Sequence, residues 1–146
     1  MTNCYTLLYT VIYKKEEEIL KIIISNNSSI PLYEQIKEAI KKEIVTGSLK
    51  DGEKLPSVRS LSRDLKISIL TVKKAYDELV EEGFIETRQG LGSFVSEDNS
   101  HLKQEEKNKA LEGKIIEIVK IAKSLKVSQK DLGDLINFIY EGDVDD

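Results

Sequence analysis

One cysteine, Cys4, and one histidine, His101, are all the chain has in 146 residues. A lone thiol excludes an internal disulfide framework, and a histidine with no Cys or His companion excludes a zinc ligand set. Neither a metal nor a cofactor is expected. No paired carboxylate, Ser/His or Cys/His constellation occurs, so no catalytic residue is expected and an enzyme is not the reading. No apolar run approaches the ~20 residues of a spanning helix, which leaves no membrane partner. The apolar stretch 4–13 lacks the basic leader and small-residue cleavage site of a signal peptide, so the expected compartment is the cytoplasm. Only two prolines are present, Pro31 and Pro56. Each stands where a helix can begin.

What is there suits a globular protein: 40% apolar and 33% charged residues, in a length that allows one domain or a small domain with an appendage. Residues 57–95 carry the organising pattern. Ser57 is a good N-cap, and Val58, Leu61 and Leu65 recur behind it at helical spacing. Ser68 is a second cap, followed by Val72, Ala75, Tyr76 and Leu79 as one buried stripe. The opposite side of that helix holds Ile69, Leu70, Thr71, Lys73, Lys74 and Asp77. Gly83 suits the left-handed residue that closes a helix. Residues 84–88 and 93–95 then read as strands around a Gln89-Gly90-Leu91-Gly92 tip. Helix, turn, helix and hairpin make a winged helix-turn-helix, a shape that fits a DNA major groove with the wing beside it. The same pattern also describes a small α+β core with no such role.

Charge bears on the choice. The net charge is −4. Residues 31–96 hold 11 basic and 11 acidic residues, whereas 97–146 hold 8 and 12. The module over 31–96 is therefore neutral overall, and its local face decides. Between Arg59 and Lys74 five bases (Arg59, Arg63, Lys66, Lys73, Lys74) stand against Asp64. Phosphate binding of this modest strength favours a dimer that uses two modules.

Lys54-Leu55-Pro56-Ser57-Val58-Arg59-Ser60-Leu61 resembles a signature of GntR-type bacterial transcription regulators. Ser68-Ile69-Leu70-Thr71-Val72-Lys73-Lys74-Ala75-Tyr76 is similar to that family's recognition helix, and Gly83-Phe84-Ile85 with Arg88-Gln89-Gly90-Leu91-Gly92-Ser93-Phe94-Val95 to its wing. With Pro31-Leu32-Tyr33-Glu34-Gln35-Ile36 the resemblance covers residues 30–96. It implies that Arg59 reaches phosphate or guanine, that Ser68 and Thr71 open the recognition helix against phosphate, and that Lys73 meets phosphate or a base edge. Gln89 and Gly90 fall where the wing tip approaches the minor groove. Ile69, Leu70 and Lys74 complete the DNA-facing set. Two positions depart from the family: Ile69 stands where arginine is common, and Lys66 where glycine is common in the turn. The first leaves base preference open, since apolar side chains touch thymine methyls and cannot read guanine. The second implies a left-handed lysine or a different turn.

The flanks complete the expectation. Leu32, Ile36, Ile40 and Ile44 form the stripe of a supporting helix that Gly47 closes, and residues 21–25 read as a strand. Residues 1–21 have two readings: an extension outside the fold, loosely ordered or a start-site artefact, or an extra strand at 6–13. Residues 97–107 read as a linker and 108–146 as two helices. Leu111, Ile115, Ile118, Ala122 and Leu125 repeat as a seam for another helix. Val127 and Ser128 staple and cap the second helix, which carries Leu132, Leu135, Ile136, Ile139 and Tyr140 on one face. Packing against the same pair from a second copy is the preferred reading, with folding back on the winged domain as its rival. A short two-helix C-terminal region resembles the YtrA-like branch of the family. The expected fold class is α+β and mostly helical, with a winged helix-turn-helix over 22–96 and a C-terminal two-helix dimerisation region. The function implied is a homodimeric regulator, a repressor of a transporter-type operon, on a pseudo-palindromic double-stranded operator; no effector is identified. The alternative is a winged module for protein interaction.

Overall fold

The computed structural model of the protein describes residues 8–15 and 18–142, with side chains described from Ile22 onward. Cys4, part of the charge run at 14–18 and the acidic end at 143–146 lie outside those residues. Two strands come first: β1 (Leu8–Lys15) and β2 (Glu18–Ser25) pair antiparallel, from Leu8 opposite Ser25 to Lys15 opposite Glu18. The strand expected at 21–25 therefore starts three residues earlier, because a partner strand extends its ladder. At its end the alternation is plain, with Ile22 and Ile24 buried and Ile23 exposed.

Helix α1 (Leu32–Thr46) lies on β2 and sends Ile36, Ile40 and Ile44 into the core. Gln35 fastens the two. Its Oε1 accepts from the Ser25 N–H at 2.8 Å, and its Nε2 donates to the Ser25 carbonyl at 3.0 Å. Gly47, at φ 83°, closes α1 in the left-handed conformation. Helices α2 (Val58–Leu65) and α3 (Ile69–Glu81) pack together, each opened by its serine. Ser57 Oγ accepts from the Ser60 N–H and Ser68 Oγ from the Leu70 N–H, both at 3.1 Å. Lys66, at φ 55°, is a left-handed lysine, the first of the two outcomes its replacement of glycine implied.

The wing is β3 (Ile85–Arg88) and β4 (Gly92–Val95), antiparallel. It is held from below: the Leu55 N–H donates to Ser93 O at 2.8 Å and the Val95 N–H to Glu53 O at 2.8 Å. One core joins these elements, built on Phe84, Leu61, Leu65, Val72, Leu79, Ile85 and Val95 with the isoleucines of β2 and α1. Helices α4 (Ser100–Ser124) and α5 (Gln129–Glu141) follow. Two compact units result, Met1–Glu105 and Glu106–Asp146. The fold is mostly helical, with a winged helix-turn-helix followed by a helical C-terminal region.

The helix α4 opens at Ser100, inside the 97–107 stretch that composition reads as linker. Polar fixings explain why. Lys103 Nζ lies 2.6 Å from Asp51 Oδ1, and Asn99 Nδ2 donates to the same oxygen at 3.0 Å. Lys103 and then Asn99 hold the Asp51 carboxyl below its ordinary value, against the opposing effect of burial. Leu102 packs beside Gly83.

Candidate nucleic-acid interface

In α3 the residues Val72, Ala75, Tyr76 and Leu79 face the core. At about 100° per residue, Leu70 and Lys74 project almost opposite that stripe. Leu70 is 74% exposed and Ile69, on the flank, 49%. The Tyr76 hydroxyl donates to Pro56 O at 2.7 Å, which ties the buried side of α3 to the loop entering α2. Lys37 and Lys41 of α1 hold the other end of the helix. Lys37 Nζ lies 2.8 Å from Glu78 and 3.1 Å from Glu82, and Lys41 pairs with Glu82. Glu78, followed by Glu82, raises the Lys37 ammonium above its ordinary value although burial opposes this. Burial is the largest single influence on Glu82 and pushes its carboxyl up; Lys41 and Lys37 together outweigh it and hold the group low. These ionic ties were missed by periodicity, since Lys37 and Glu78 are 41 residues apart.

The expected DNA-facing residues all lie at the surface of the winged unit, with Thr71 partly covered. Arg59 is exposed and has no hydrogen-bond or ion-pair partner among the described residues. Lys73 pairs with Asp77 one turn on. Lys74 Nζ sits 3.7 Å from the Tyr33 ring centroid, a cation–π contact that steers the side chain toward α1. Ser68 spends its oxygen on its own helix. Gln89 and Gly90 form the bare end of the wing, with Gly90 at φ 73°. Leu91 beside them is an exposed tip residue that the motif alone did not single out. Arg88 lies over Phe94, 4.5 Å from its centroid, and pairs with Glu86. The arrangement offers a helix end, an unpaired arginine, surface lysines and a narrow hairpin, groups that can meet base edges and phosphate oxygens.

In the C-terminal unit Leu111, Ile115, Ile118, Leu125, Leu135, Ile136 and Ile139 are exposed, and Leu132 is half-buried. Ala122, placed by spacing in the same seam, is instead buried where α4 turns into α5: its carbonyl accepts from the Val127 N–H at 2.9 Å. It packs within its own chain. Ile116, beside the seam, and Tyr140, on the face of the last helix, are exposed too, as are Ile121 and Phe138, which the spacing did not single out. Among the described residues no helix is long and apolar enough to cross a membrane, and no cluster of His, Cys, Asp and Glu could hold a metal.

A serine-capped helix after a tight turn, backed by a second helix and flanked by a glycine-tipped hairpin, defines the winged helix-turn-helix class of DNA-binding proteins. The family profile "Bacterial regulatory proteins, gntR family" matches residues 32–95. The chain is 38% identical over 120 residues to the HTH-type transcriptional repressor YtrA of Bacillus subtilis, covering 82% of this chain and 87% of YtrA. Over 115 residues it is 33% identical to the regulator YhcF of the same species, covering 79% and 94%. A transcriptional regulator from Oenococcus oeni has a similar structure, with a TM-score of 0.69 at 31% identity over 80% of this chain and 97% of that one. The chain belongs to the GntR family of DNA-binding transcription regulators, with YtrA-like relatives spanning most of its length.

Proposed function

We propose that the protein is a homodimeric repressor of a transporter-type operon, acting in the cytoplasm on a pseudo-palindromic operator. Recognition helix α3 enters the major groove, with Arg59, Ser68, Ile69, Leu70, Thr71, Lys73 and Lys74 toward the DNA, while Gln89 and Gly90 meet the minor groove. The observation that carries this reading is the outward face of α3, with a partnerless arginine on the preceding helix α2, while the core side of α3 and its C-terminal end are fixed. Repression is supported by likeness to YtrA over most of both chains. The transporter operon rests on resemblance to that branch. Dimerisation is supported by the exposed leucines and isoleucines of α4 and α5, since an apolar surface of this extent favours a second protein surface. A two-fold pair predicts half-sites about one helical turn apart, or a multiple of it.

Fluorescence anisotropy with duplexes selected from a random pool tests the reading. Sequence-preferring binding that weakens steeply with salt is the expected result. Binding that is absent, or equal on every duplex, favours a winged module that docks a protein instead.

A further inference from the structure

The outermost side chains in the first turn of α3 are apolar, with the half-buried Thr71 on the flank. Leu70 points almost straight away from the core, and Ile69 lies beside it. The cap and its backbone are already engaged: Ser68 Oγ takes the Leu70 N–H, and the Ser68 carbonyl takes the Thr71 and Val72 N–H groups. Further along the same face stand Asp77 and Glu81, both exposed. Asp77 is paired with Lys73, Lys74 of that face turns onto Tyr33, and Glu81 repels phosphate, so the first turn is where the helix presents apolar groups to base edges. A lone exposed leucine is ordinary on a protein surface. One on the outermost line of a recognition helix, in the turn that meets base edges, is a choice of what can be read. The major groove holds one apolar group on a base edge, the thymine C5-methyl.

We propose that Leu70, flanked by Ile69, is a specificity residue that reads thymine methyl groups in each half-site. This rests on the DNA-binding reading above and names its base preference. Removing one methyl from the contact costs about fourfold in affinity, the worth of one buried methyl group.

The test uses the full chain and duplexes it selects from a random-sequence pool. Each thymine is replaced in turn by deoxyuridine, which differs only in lacking the methyl. At one or more thymines per half-site the wild type should lose about fourfold, and Leu70→Ala should lose less than about twofold for the same replacement. Leu70 is so exposed that its truncation leaves the core intact, which far-UV circular dichroism checks. A selected sequence whose thymines all tolerate deoxyuridine overturns the inference alone. So does a deoxyuridine penalty that is unchanged in Leu70→Ala. A pool that yields no preferred sequence overturns the DNA reading and the inference with it.

Discussion

Replacing Glu82 by Gln tests how the recognition helix is held. The substitution keeps the size of the side chain and removes the charge that meets Lys37 and Lys41 at the end of α3. Both lysine side chains are nearly buried, at 12% and 10% exposed, whereas Glu82 is 34% exposed. Breaking a fully buried pair costs about 3–5 kcal/mol, because a charge is left without its counter-ion. Here the cost is smaller. Lys37 keeps Glu78 at 2.8 Å, Lys41 keeps Glu38 at 3.5 Å, and solvent screens a carboxylate that is one-third exposed. A loss of about 1–2 kcal/mol follows, and with an m-value of about 1.5 kcal/mol/M the urea midpoint falls by about 1 M. Far-UV circular dichroism through a urea titration measures it. The pH dependence gives a second reading. Glu82 is held below its ordinary value in the folded protein, so its contribution is complete above the unfolded carboxyl's pKa of about 4.3 and is lost as pH falls through the lowered value. The wild type should therefore lose more stability than Glu82→Gln on acidification below about pH 4.3. A midpoint shift under about 0.3 M at neutral pH, or parallel acid curves, would refute the reasoning.

Three further outcomes are expected. Arg59→Ala should weaken operator binding by about 1–3 kcal/mol with unchanged thermal stability, because the guanidinium has no partner in the free protein; equal affinity would remove Arg59 from the interface. Ile118→Asp should convert a dimer to monomers in analytical ultracentrifugation, since a charge would enter an apolar contact; a dimer that survives would move the interface elsewhere. Lys66→Gly should raise the thermal midpoint, by about 0.5–1 kcal/mol of stability, because the left-handed turn conformation at φ 55° strains lysine and not glycine. A lower midpoint would mean that the lysine side chain supports the turn.

Much of the winged unit could be read along the chain. Ser57, Ser68 and Ser128 are caps whose partners lie two or three residues away. The stripe of α3 needs only a count of 3.6 per turn, and a left-handed lysine was one of the two outcomes that the absent glycine left open. The family resemblance placed Arg59 and the wing tip for the same reason: the motifs are short and contiguous. Other features have no local signal. The β2 ladder grows because β1 lies opposite. Asp51 and Lys103 meet across 52 residues and turn the start of an apparent linker into helix. Ala122 carries the seam's spacing, yet the corner before α5 encloses it.

Periodicity in the sequence determined which helix faces are apolar, where helices begin, and where the chain turns, because those are properties of neighbours within a few residues. Only the tertiary structure decided which apolar faces are covered and which stay bare. It also decided which lysines are tied to glutamates and which arginine is left without a partner, because each depends on residues that meet only when distant segments pack.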